Sequence, residues 1–232
     1  MRNYCIINGV NSNTISGLLI QELPSVQKPK MRTRTETIDG RDGDIVTNLG
    51  YQAYDRDMKI GLHGSFDIDD VTAFFNTSGT VIFSNELDKV YTFTIVDAID
   101  YERLGRFREA KVTFHVQPFK MLVNETEIDV EPTISGISVT NNGNVIARPT
   151  LTIYGEGTVG LYLNGDQILT MDIDDEYITL DFTELEAYTG GVLKNRQVTG
   201  DMSQFYLPVG TSTINFSGSV SEVLISGYNR FV

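Results

Sequence analysis

The sequence predicts a mostly β protein in two domains. Three observations lead there. Short runs of Val, Ile, Thr, Tyr and Phe recur along all 232 residues, often alternating with polar side chains. Asn-Gly, Asp-Gly and Gly-Gly pairs punctuate those runs, and such pairs supply the positive φ angles of tight hairpins. The charge composition also changes part-way along the chain. Residues 1–130 carry 14 basic and 19 acidic groups, whereas 131–232 carry 4 and 12. The expected architecture is an N-terminal domain, 1–130, that is β-sandwich-like with one short helix and an extended β-arm. A second β-sandwich, 131–232, follows it.

The strands are clearest at Thr92–Val96, Lys111–Val116, Thr150–Tyr154 and Tyr177–Phe182. Turns are expected at Asn8-Gly9, Asp39-Gly40, Asp42-Gly43, Asn142-Gly143, Asn164-Gly165 and Gly190-Gly191. One segment reads as helix. Asp67 can cap it and complement its dipole, and Val71, Phe74 and Phe75 then share a face to pack on a sheet. Between Pro118 and Pro149 the strand pattern loosens into Asn124-Glu125-Thr126-Glu127, so the domain junction is placed near 130.

Lys28 to Arg41 reads differently. Lys28, Lys30, Arg32, Arg34 and Arg41 are interleaved with Met31, Thr33, Thr35 and Thr37. Such a two-sided, weakly apolar strand is stable only when a neighbour covers it. One reading is a β-arm that reaches another subunit, with the five basic residues at the interface and acids such as Asp42, Asp44, Asp55 or Asp57 opposite. The other is a solvated edge strand blunted by its charges.

Composition narrows the function classes. The net charge of −13 argues against a nucleic-acid grip, which needs clustered Lys and Arg. No apolar run reaches the ~20 residues of a membrane span. The start, MRNYCIINGVNSN, lacks a signal peptide's apolar core and cleavage site, which argues against export by that route. Cys5 is the only cysteine and lies in an apolar run, so a buried thiol and no internal disulfide are expected.

His63 and His115 have no metal-ligand pattern around them, and no cofactor or metal is expected. There is no nucleophile elbow, Walker loop or dinucleotide fingerprint. Gly155-Glu156-Gly157 is read as a turn. Asp172, Asp174, Asp175 and Glu176 lack the glycine and distal glutamate of a calcium loop, and read as a solvated β-turn. Paired glycosidase carboxylates leave no sequence signature, so a glycan-active enzyme is a third reading. Sugar platforms commonly stack aromatic rings. Tryptophan is absent, but Tyr154, Tyr162, Tyr177, Tyr188 and Tyr206 supply rings.

The order of features over 38–119 resembles the N-terminal domain of phage distal tail proteins. It runs from Ile38-Asp39-Gly40-Arg41-Asp42-Gly43 through Tyr51, Tyr54 and Met58–Ile60. Phe66, the helix to Phe75, Val81–Asn85, Asp88–Tyr91 and Phe93–Val96 follow, and Ala110–Phe119 closes it. In the second half, Val139–Pro149 leads into Leu151–Gly157 as "N-x-G-N-x-x-A-x-P, strand, G-x-G". Ile178–Asp181 and Leu207–Phe216 are similar to the family's closing strands. The resemblance implies a non-enzymatic hub at the tip of a phage tail, located in the virion. It implies a homo-hexameric ring built by the N-terminal domains, with outward-facing, galectin-like C-terminal domains. The implied partners are the tail tube protein, a tail-associated fibre or lysin protein and receptor-binding proteins. A carbohydrate-binding adhesin using the C-terminal sandwich is the alternative.

Overall fold

A computed structural model describes residues 2–97 and 99–232. The chain forms two compact units, Met1–Val123 with Val232, and Asn124–Phe231.

The first unit contains β1 (Cys5–Ile7), β2 (Val10–Asn11), β3 (Leu18–Glu22), β4 (Met31–Thr37), β5 (Asp44–Tyr51) and β6 (Tyr54–Leu62). Helix α1 (Ile68–Phe75), β7 (Ser78–Phe83), β8 (Lys89–Thr94), α2 (Tyr101–Phe107) and β9 (Glu109–Leu122) follow. Among the described residues, seven of these strands make one antiparallel sheet in the order β2-β1-β7-β8-β9-β6-β3. The helix expected after Asp67 is present, and the Asp67 carboxylate accepts from the Asp69 N–H at 2.9 Å. Its Val71, Phe74 and Phe75 pack into the same core as Met58, Ile60, Phe83, Phe93 and Phe114 of the sheet.

The expectation of one short helix needs enlarging, because α2 is a second. It follows Asp100 and buries Leu104 in the core. With Gly105 in its middle and only seven residues, its propensity is weak, and burial of Leu104 supplies what the local sequence does not. Pro118 lies inside β9, where the register with β8 slips between Tyr91 and Phe93. An irregular stretch of this kind tolerates a residue that has no N–H.

Strands β4 and β5 belong to neither large sheet. They form a separate hairpin, with Thr33 opposite Asn48 and Thr37 opposite Asp44. Gly40 and Gly43 take φ of 82° and 76° at its tip. Much of Lys28–Arg41 therefore lies in a separate hairpin and not along the edge of a large sheet, and the hairpin is called the arm below.

The second unit contains β10 (Ile128–Val130), β11 (Ile137–Asn141), β12 (Thr150–Leu163), β13 (Asp166–Ile173) and β14 (Tyr177–Asp181). It ends with β15 (Glu186–Thr189), β16 (Val192–Leu193), β17 (Val198–Gly200) and β18 (Gly210–Ser226). The long strands β12 and β18 pair with one another and serve both layers of a β-sandwich. Residues 150–154 of β12 also pair with β14, and residues 157–163 with β13. Between those halves the β12–β18 register slips twice. Gly155 and Gly218 make the bend. A Cβ on Gly155 would lie 2.2 Å from the Ser219 carbonyl oxygen, and one on Gly218 2.4 Å from that of Thr158. The Gly155-Glu156-Gly157 phrase is thus part of a bent strand and not a turn. The two hairpin pairs behave as expected: Asn164-Gly165 joins β12 to β13 and Gly190-Gly191 joins β15 to β16, all with positive φ. Asn142-Gly143 does not close a hairpin. It packs against Arg230, whose carbonyl oxygen would be 1.9 Å from a Cβ on Gly143.

Candidate functional site

Among the described residues, the arm is a largely exposed element of the first unit. Every residue from Arg32 to Asp44 is exposed. Val46 is 58% and Leu49 52% exposed, and three residues apart on a strand they face opposite sides. An isolated two-stranded ribbon is marginal in water, so an exposed one with apolar groups on both faces is suited to pairing with something else.

The five basic residues are spread along this element. The exposed Lys28 and Lys30 lie on the connector from β3, Arg32 and Arg34 on β4, and Arg41 in the tip loop. Arg32 Nη2 donates to the Leu49 carbonyl at 3.1 Å, and Arg34 pairs with Glu36 at 2.8 Å. Three of the four acids considered as their partners are engaged within the chain. Asp44 accepts from Thr37 Oγ1 at 2.9 Å, and His115 Nδ1 lies 2.7 Å from Asp55. Asp57 accepts from Thr113 at 2.8 Å and Lys111 at 3.2 Å.

A buried charge network lies at the arm's root. Arg56, on β6, is 2% exposed. Its guanidinium sits between two rings, 4.7 Å from the centroid of Phe83 and 4.4 Å from that of Tyr91. Nη2 donates to the carbonyls of Pro24 at 3.3 Å and Ser25 at 3.1 Å, and lies 3.6 Å from Glu86. Glu86 also accepts from Lys120 at 3.0 Å and from the Tyr91 hydroxyl. Burial, then that hydrogen bond, pushes the Tyr91 phenol well above its ordinary range. The charged triplet Asp55-Arg56-Asp57 reads as solvent-facing, and the importance of Arg56 escapes a reading by residue type. Its register does not: Arg56 shares parity with the buried Met58, Ile60 and Leu62.

The other residues singled out from the sequence lie in ordinary structural contacts. Among the described residues, no three of His, Cys, Asp and Glu are placed to hold a metal ion. Cys5 is buried, and loss of solvent pushes its thiol up to about 12. In the acidic run, Asp172 accepts from Thr158 at 2.7 Å, while Lys194 holds Asp174 at 3.2 Å and Asp175 at 2.7 Å. Hydrogen bonds from Gln197 and then Lys194 hold Asp174 below the ordinary aspartate range. Of the five tyrosines, Tyr154 and Tyr177 face each other across β12 and β14, with centroids 5.3 Å apart.

No family model and no curated protein matches the sequence. Solved structures do. The crystal structure of the Dit protein of phage SPP1, described as a paradigm of the hub adsorption apparatus in phages infecting Gram-positive bacteria, is similar with a TM-score of 0.69. The identity is 14%, and 100% of each chain is covered. The chain has the fold of that hub protein. A component of the phage P2 baseplate in its activated conformation with Ca gives 0.47 at 11% identity, over 100% of this chain and 98% of that one. At that score it adds nothing to the assignment of the fold. The SPP1 likeness runs through both units of the present chain, including the segments that carry no sequence signature.

Proposed function

We propose that this protein is a structural, non-catalytic hub of a phage or prophage tail tip. Six copies close into a ring through their first units. The ring joins the tail tube to the tail-associated fibre or lysin protein and to the receptor-binding apparatus, and the protein resides in the virion. The observation that carries this reading is a fold likeness spanning the whole of both chains, to a protein described as a phage hub. The exposed arm supports it. A cyclic ring uses head-to-tail contacts, which an element projecting from one subunit to the next can supply. In this reading Lys28, Lys30, Arg32, Arg34 and Arg41 line the subunit contact.

Mass in solution tests the ring. Six copies of a 25.9 kDa chain give about 155 kDa by light scattering, with a six-fold annulus in negative-stain images. A monomer at micromolar and higher concentrations would overturn it. Arg32→Glu with Arg34→Glu tests the arm. Ring mass should be lost while thermal unfolding stays within about 0.5 kcal/mol, because both side chains are exposed. An intact ring in the double variant removes the basic residues from the contact.

The second reading is carbohydrate binding by the second unit. Its support is the Tyr154–Tyr177 ring pair beside an open groove of about 570 Å³, which Tyr154, Glu156, Ser219 and Ser221 help to line. Glycan-array binding by a monomeric protein, abolished by Tyr154→Ala, would favour it over the hub.

A further inference from the structure

The arm leaves the first unit at Pro24 and returns at Tyr54, so its direction is set where those two legs meet the sheet. The returning leg is covalently continuous with β6, and the Tyr51 ring packs edge-on against Phe119 at 5.6 Å. The outgoing leg, residues 23–30, has no strand partner of its own in the sheet. It is held by side chains: Arg56 donates to the carbonyls of Pro24 and Ser25, and Asn85 Nδ2 donates to Pro24 at 3.0 Å. The two legs then meet through the Gln52 N–H, which donates to the Lys30 carbonyl at 2.8 Å.

Neutralising Glu86 does not by itself account for Arg56. Lys120 is nearer to that carboxylate, at 3.0 Å against 3.6 Å, and is itself only 7% exposed. One half-buried carboxylate and one buried ammonium already cancel, so Arg56 adds a second buried cation to a single anion. Such a charge costs several kcal/mol of desolvation unless it is well placed. Its planar group between two rings is what a guanidinium can do and an ammonium cannot, while a single nitrogen, Nη2, reaches both connector carbonyls and leaves buried Nε and Nη1 without a hydrogen-bond partner.

We propose that Arg56 is a positioning residue for the arm. It holds the outgoing connector at a fixed angle, so that the arm is presented in one direction before any partner arrives. This holds whether or not the arm closes a ring, and so stands apart from the hub reading.

The test is a distance distribution between nitroxides on Asp42→Cys at the arm tip and Thr92→Cys on β8. Both positions are exposed, and buried Cys5 stays unlabelled. Labelled protein is diluted into an excess of unlabelled chains, with and without Arg32→Glu and Arg34→Glu. The Arg56 protein should give one narrow peak. Arg56→Met leaves the Glu86–Lys120 pair intact, and should lose that peak to a broad distribution while circular dichroism stays unchanged. Arg56→Lys should broaden it less. If Arg56→Met does not fold, Asn85→Ala decides, since it removes one connector contact without touching the buried charges. An unchanged narrow peak in a folded Arg56→Met, or failing that in Asn85→Ala, overturns the proposal. A broad peak in the Arg56 protein itself does so as well. Ring mass is read separately, so failure of the hub would leave this result standing.

Discussion

The two units solve the burial of polar groups in opposite ways. The first buries ionised groups: Arg56 and Lys120 close on Glu86 between aromatic rings. Among the described residues, the fully buried polar groups of the second are neutral, and its one carboxylate tie, Glu125, is only half-buried. Asn141 Nδ2 donates to Val145 at 2.9 Å and Leu207 at 3.2 Å, and its Oδ1 accepts from Gly143 at 2.8 Å. Asn229 Oδ1 accepts from the Asn142 N–H at 2.7 Å. The carboxylate of half-buried Glu125 accepts from the N–H groups of Gly227, Tyr228 and Asn229, and from the Asn229 amide. In the second unit the polar groups tie its first and last segments together. In the first they hold an element that projects away from the core. One network finishes a domain, and the other lies at the root of a projecting hairpin.

Substitutions can break that contrast. The largest effect is expected from Glu86→Gln, which leaves Arg56 and Lys120 buried without their anion. The first unit should lose about 3–5 kcal/mol in denaturant unfolding. A loss below about 1 kcal/mol would show the network to be wetter than the structure indicates. Glu125→Ala should cost the second unit about 1.5–3 kcal/mol through its charge-assisted hydrogen bonds, and should speed hydrogen exchange at Gly227–Asn229. Asp67→Ala removes the cap of α1 and should cost about 1 kcal/mol in the first unit alone.

The smallest effect is the response to acid at the Lys194 clamp. Asp174 is held below its ordinary range by Gln197 and Lys194. Its contribution is complete above the unfolded aspartate value of about 3.9 and fades as pH falls through the lower folded value. Carboxyl resonances followed by NMR should show Asp174 titrating below the ordinary aspartate value of about 3.9. A midpoint at or above that value would remove the clamp.

Local chemistry made much of this fold legible. Helix α1 could be read because its cap and aromatic face lie within nine residues. The hairpins at Asn164-Gly165 and Gly190-Gly191 could be read because two adjacent residues fix a turn. The arm showed as alternation without an apolar face. Helix α2 was not legible, since its stability comes from burying Leu104 and not from Tyr101-Glu102 or Gly105. The Arg56 network was not legible either. Its members come from β6, the turn after β7, β8 and β9, and nothing near Arg56 in sequence announces Glu86 or Lys120.

The path of β18 has a consequence for synthesis. That strand pairs with β10, β11 and β12, so the second sandwich cannot close until residue 226 has been made. The first sheet, with Arg56, Glu86 and Lys120, is complete by residue 122. At about 5–20 residues per second, the intervening hundred or so residues take roughly 5–20 s. Throughout that interval a nascent chain would carry a folded base and a directed arm, while its other half was still unfinished and tethered to a ribosome.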